Sequence, residues 1–172
     1  MEFLELIKDR YSVRCFKNER ITDEELNKIL EAGRIAPTAK NYQPIKIVVV
    51  ESDEGLNKLN SQCKCIYGAK TVLIVCYNKN ECWINKRRGD YNTGEVDATI
   101  VSTYMALEAH SLGIGSVFVG MFSDEEIKKS FDLDDNLVPT LLIPLGYPSD
   151  DSAPLEGFHD VRKNINDLVI KK

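Results

Sequence analysis

Apolar positions along the chain change period several times, and each change marks an element. Phe3, Leu4, Leu6 and Ile7 outline one face of a short first helix. Thr22 followed by Glu25 is a capping-box signal, and Leu26, Ile29, Leu30 and Ala36 then line one face of a second helix. Ile45–Val50 is a short β-branched run that reads as a buried strand. Residues 53–62 suggest a short helix and Thr71–Tyr77 a second buried strand, whereas residues 79–94 are polar and carry no clear period.

The longest helical pattern is Glu95–Leu112. Its apolar residues Val96, Ile100, Val101, Tyr104, Met105, Leu107 and Leu112 cover much of the circumference, which predicts a central, heavily buried helix. Gly113 supplies a stop. Ser116–Val119 predicts a third strand, Ser123–Phe131 a capped helix and Thr140–Leu145 a fourth strand. Strands separated by helices imply a three-layer α+β domain with a central mixed sheet. The helix-helix-strand opening does not give a strict doubly wound order. No repeat or linker divides residues 1–172, so one domain is expected. The polar extension 147–172 cannot build a core of its own, and packing on a second subunit is one way to order it.

Composition narrows the functional classes. With 172 residues the chain can bury roughly 70% of its unfolded surface, enough for a real core. A net charge of −5 with no Lys/Arg stripe argues against nucleic acid as a partner. No segment approaches the ~20 apolar residues of a membrane span. Glu2, Glu5 and Lys8 interrupt any signal-peptide pattern, so the expectation is a cytoplasmic protein without a membrane partner. Five cysteines do not make a complete disulfide framework. Cys63-Lys64-Cys65 has the wrong spacing for the usual zinc or thioredoxin-type pairs, and with two histidines no metal site is expected.

Against this acidic background, Arg10-Tyr11-Ser12-Val13-Arg14-Cys15-Phe16 stands out. In an extended segment Arg10, Ser12 and Arg14 project to one side, which presents two cations and a hydroxyl to an anion such as a cofactor phosphate. Gly113-Ile114-Gly115 opening into Gly120 is not a dinucleotide loop, because the third glycine comes too late and the segment follows a helix.

The ordered set of motifs resembles the nitroreductase family of flavin enzymes. It comprises Arg10–Phe16, the loop from Ala36-Pro37-Thr38-Ala39 to Gln43-Pro44, the Asp97 helix running into Gly113-Ile114-Gly115, the Val119-Gly120 turn, and Gly146-Tyr147-Pro148 with the late basic pair Arg162-Lys163. The resemblance implies a three-layer fold in an intertwined homodimer with FMN at the subunit interface. It also implies NADH or NADPH as reductant and ping-pong transfer through flavin N5 to a small electron-poor acceptor such as a nitroaromatic, quinone or free flavin. By that likeness Arg10, with Arg162 or Lys163, holds the phosphate, and Tyr11 belongs to the same cofactor-binding segment. Ser12 meets phosphate or ribityl oxygens. Arg14 faces the N1/C2=O edge and tunes the flavin, with no protein acid or base assigned. Pro37, Thr38, Ala39 and Asn41 come from the partner subunit, and backbone near Val119 and Gly120 meets N5 and C4=O.

The chain departs from the family pattern in being short between the second strand and the long helix, and in carrying Thr38-Ala39 where two serines are common. Cys63 and Cys65 lie near where longer relatives bring a polar side chain to the ring. Two other outcomes stay open from sequence. One is the same fold performing reductive dehalogenation or flavin breakdown. The other is a flavin- or cysteine-based redox sensor, for which Cys15 beside Arg14 is the support.

Overall fold

The computed structural model describes residues 2–172. In chain order the elements are α1 (Phe3–Asp9), α2 (Asp23–Ile35), β1 (Ile45–Val50), α3 (Asp53–Gln62), β2 (Thr71–Asn78), β3 (Ile84–Asn85), β4 (Tyr91–Asn92), α4 (Gly94–Ser111), β5 (Gly115–Ser116), α5 (Asp124–Ser130), β6 (Leu137–Gly146) and α6 (Ile165–Leu168). The main sheet runs β1-β2-β6-β5, and β3 with β4 forms a separate hairpin. Every named strand pair is antiparallel, and the sheet becomes mixed only through a parallel bridge between Ser12 and Ser116.

β2 is buried on both faces because it is the spine of a three-layer sandwich. Val72, Ile74 and Cys76 point into one core with Leu56 and Leu59 of α3 and Ile127 of α5. Leu73 and Val75 point into the other, with Ile29 of α2 and Val101 and Met105 of α4. The period-2 alternation of a strand sorts an unbroken apolar run between two layers.

Local chemistry fixes the helix starts. Thr22 and Glu25 form the reciprocal box at α2, with the Thr22 hydroxyl accepting from the Glu25 N–H at 3.2 Å and the Glu25 carboxylate accepting from the Thr22 N–H at 2.8 Å. Ser123 caps α5. Gly113, at φ +77°, reverses the chain after α4, a conformation in which a side chain is strained.

Three expectations change. The polar stretch 79–94 contains the β3–β4 hairpin, turned at Gly89 (φ +68°) and closed by Arg88 lying 4.3 Å from the Tyr91 ring centroid. The predicted third strand is only two residues long. Beyond Ser116 the chain rejoins the sheet as a single bridge, from Val119 to Leu142. The fourth strand begins earlier than predicted, at Leu137. A β-bulge at Val75/Cys76 accommodates Pro139, whose missing N–H obscures a strand pattern.

The α4 helix also departs from the expected heavy burial. Val101 and Met105 are buried, but Val96 and Tyr104 are exposed and Ile100, Leu107 and Leu112 only partly covered. The apolar face of α1 is exposed as well, at Phe3, Leu4 and Ile7.

Candidate functional site

The Arg10–Phe16 segment is extended because both ends are tied into the sheet. Arg10 leaves α1 in β conformation, with its N–H on Leu6 C=O. Val13 donates to Ser116 C=O at 3.0 Å, Lys17 donates to Tyr147 C=O at 2.8 Å, and Ser149 donates to Cys15 C=O at 3.0 Å. Val13 and Phe16 enter the core, and the Val13 side chain fills the place that a Cβ on Gly115 would occupy. With those anchors inward, Arg10, Ser12 and Arg14 turn toward solvent.

There they meet the C-terminal extension. A concavity of about 230 Å³ is lined by Arg10, Tyr11, Ser12 and Arg14 on one side and by Leu155, Phe158, His159 and Arg162 on the other. Tyr11 pins the extension, its hydroxyl donating to Ser152 Oγ at 3.1 Å. Its ring meets the His159 ring edge-on at 6.2 Å. Arg162 folds back, Nη1 donating to the carbonyls of Phe158 at 3.0 Å and Val161 at 2.9 Å.

Among the described residues none of Arg10, Arg14 and Arg162 forms a carboxylate ion pair. Burial first, and then the Arg162 charge, push the Arg10 pKa below its ordinary value. His110 is lowered too, by burial and then by Arg10, with Asp9 opposing. A partly buried Arg10 and two exposed guanidiniums, none with a carboxylate partner, surround the Ser12 hydroxyl, a donor set whose chemistry suits an anion.

Pro37, Thr38, Ala39 and Asn41 lie elsewhere, in a loop around the short 3₁₀ turn Ala39–Asn41. Lys40, Asn41 and Gln43 all sit at φ near +55°, an unusual density of left-handed non-glycine residues. Buried Asp97, 1% exposed, holds this loop in place. Its carboxylate accepts from the Ala39 N–H at 2.8 Å and from the Thr93 hydroxyl at 3.1 Å. The Thr38 hydroxyl accepts from the Gln43 N–H at 3.0 Å, and Lys40 Nζ stands 5.7 Å from the centroid of the Trp83 ring. Thr38 and Gln43 line a second concavity of about 300 Å³ against α2, α4 and β1, which shares no residue with the arginine concavity.

Val119 is buried and exchanges both backbone hydrogen bonds with Leu142, at 2.9 Å each. Its own N–H and C=O are therefore committed to the sheet, and the accessible member of that turn is Gly120. Lys163 is exposed and does not line the arginine concavity.

One protomer thus gathers Arg10, Tyr11, Ser12, Arg14 and Arg162, and keeps Pro37–Asn41 apart from them. Sequence reasoning missed His159 and the anchoring role of Asp97. The spacing of His159 three residues before Arg162 was a usable signal, and nothing near Asp97 marked it as buried.

Three of the cysteines, Cys63, Cys76 and Cys82, are poor thiolate sources. All five are free. Burial, the first cause in each case, raises Cys63 to about 11, Cys76 to about 12 and Cys82 to about 11. No helix among the described residues is long and apolar enough to cross a membrane.

The model of the nitroreductase family matches residues 7–67 and 57–147. A protein of Methanothermobacter thermautotrophicus, named a candidate NADH dehydrogenase/NAD(P)H nitroreductase, is 31% identical over 92% of this chain and 83% of its own length. The crystal structure of a nitroreductase family protein from Clostridium difficile 630 superposes with a TM-score of 0.91 at 35% identity, covering 99% of this chain and 98% of that one. A candidate nitroreductase from Exiguobacterium sibiricum, solved in complex with FMN, shares the fold at a TM-score of 0.84 and 24% identity, over 100% of this chain and 98% of that one.

Proposed function

We propose a function from one premise: the chain belongs to the nitroreductase family. It is an FMN-dependent NAD(P)H oxidoreductase for a small electron-poor acceptor. The observation that carries this reading is the arginine concavity, three guanidiniums and the Ser12 hydroxyl with no carboxylate among its lining residues, on a chain of net charge −5.

The residues fit the group. Guanidinium gives paired parallel N–H donors to phosphate oxygens, which lysine cannot do. At about 230 Å³ the concavity is smaller than the usual ~300–1,000 Å³ of ligand pockets, so it takes the phosphate end and leaves the ring to another wall. When bound, FMN supplies N5 as hydride acceptor from NADH or NADPH and as the donor for a second half-reaction. Arg10 and Arg162 hold the phosphate, Tyr11 fixes the extension that carries Arg162, and Ser12 donates to phosphate or ribityl oxygens. Arg14 serves the N1/C2=O edge, where a fixed cation stabilises the negative charge of the reduced state and raises its potential. The Gly120 turn faces the N5 side.

The missing wall is a second copy of the chain. Pro37, Thr38, Ala39 and Asn41 of one protomer complete the concavity of the other. The exposed apolar residues of α1, Val96 and Tyr104 of α4, and the extension at Leu168 and Ile170 supply the surface that a homodimer covers. Anaerobic NADH or NADPH added to the purified protein tests the whole reading. A yellow protein that bleaches, then recovers on adding a quinone or nitroaromatic, is expected. Colourless protein that takes up no FMN on incubation sinks it.

A further inference from the structure

The arginine concavity has a fourth nitrogen donor that the proposed function leaves unused. His159 lines it opposite Arg10 and Arg14, and its position is built rather than incidental. Its backbone N–H donates to Leu155 C=O at 3.3 Å, while Arg162 closes on Phe158 C=O at 3.0 Å. That turn sends His159 and Arg162, three residues apart, into the same space. Tyr11 meets the imidazole edge-on at an interplanar angle of 73°, and the Tyr11 hydroxyl is itself held by Ser152. An edge-to-face aromatic contact restricts the ring and leaves its nitrogens on the periphery.

We propose that His159 is a fourth ligand of the cofactor phosphate, engaged as the imidazolium, so that its contribution to FMN retention grows as the pH falls. This rests on the concavity being the phosphate site. The charged groups that share the concavity with His159 are Arg10 and Arg14 opposite it and Arg162 beside it. The neighbouring carboxylates Glu156 and Asp160 are exposed and do not line the space. A phosphate therefore brings the negative charge into a ring of cations, and a dianion there favours the protonated imidazole. Imidazole changes charge between about pH 5 and 8, whereas the three guanidiniums keep theirs throughout. Alkaline conditions thus withdraw one of four cationic contacts. Selectivity follows too, because riboflavin lacks the group that His159 recognises.

The test is the FMN dissociation constant of the full-length protein and of His159→Gln across this pH range, with riboflavin as the phosphate-free probe. The ratio of variant to wild type is the readout, since the ionisation of FMN itself cancels from it. A ratio on the order of tenfold near pH 6, falling toward about one near pH 8.5, is expected for a charge-assisted contact that fades with the imidazolium. His159→Lys, which keeps its charge across the range, gives a ratio near one at pH 6 that falls toward about a tenth by pH 8.5, because only the wild type loses its cation. Riboflavin affinity is unchanged by either substitution at any pH. A ratio that does not vary with pH, or an equal loss for riboflavin, overturns the proposal while leaving the phosphate site standing. Failure of the wild type to bind FMN at all overturns the site itself.

Discussion

The two regions that face a flavin in the proposed dimer are built in opposite ways. The arginine concavity is rich in uncompensated charge and closed on one side by an extension that stays largely exposed, with Phe158 at 76% and Ile170 at 80%. The Pro37–Gln43 loop contributes no arginine. It is strained at three left-handed residues and locked by the buried carboxylate of Asp97. Affinity for a phosphate needs free charge, which the first region keeps by having no carboxylate partners. Placing small groups against a flat ring needs rigidity, which the second obtains from a buried hydrogen-bond anchor. Charge and rigidity are thus assigned to separate segments, which the proposed dimer would join.

Removing charge and removing the anchor should separate the two regions. Arg10→Ala should show the largest effect, weakening FMN binding by on the order of a hundredfold with little change in thermal midpoint. An unchanged dissociation constant in a fluorescence titration would strip Arg10 of its phosphate role.

Asp97→Ala should do the reverse. It leaves the Ala39 N–H and the Thr93 hydroxyl without their buried acceptor, at a cost of about 2 kcal/mol. For a chain of this size that lowers the melting midpoint by roughly 4–8 °C, measurable by calorimetry. A variant as stable as wild type would show that the loop holds its strained form unaided.

Arg14→Ala should sharpen the contrast within the charged region. Its expected signature is a lower flavin midpoint potential and slower reduction by NAD(P)H, with less than about tenfold loss of binding. Unaltered potential and reduction rate would remove Arg14 from the ring edge.

The smallest effect belongs to Lys163→Ala. Because Lys163 is exposed and outside the concavity, its FMN affinity should stay within about twofold of wild type. A loss comparable to that of Arg10→Ala would place the phosphate on Lys163 and not on Arg162.

Much of the fold is legible from local pattern, for identifiable reasons. Thr22 and Glu25 mark the start of α2 because a capping box is a contact within four residues. Ile45–Val50 and Thr71–Tyr77 are read as strands because β-branched runs have few other fates, and the structure places strands at Ile45–Val50 and Thr71–Asn78. The hairpin at β3–β4 escapes because its stability comes from a stacked Arg88–Tyr91 pair and a left-handed glycine in a stretch with no apolar period. The early part of β6 escapes because Pro139 mimics a strand terminator until a bulge admits it.

The site divides along the same line. The sequence alone determines that Arg10, Ser12 and Arg14 share a side, since period-2 geometry is a property of the backbone. Nothing local brings Arg162 and His159 to them, because that meeting depends on Tyr11 catching Ser152 from 141 residues away. Nor does any pattern reveal that Asp97 is buried, or that Val119 gives its backbone to Leu142. Those facts are settled by packing and by the pairing of backbone polar groups, which local sequence does not specify.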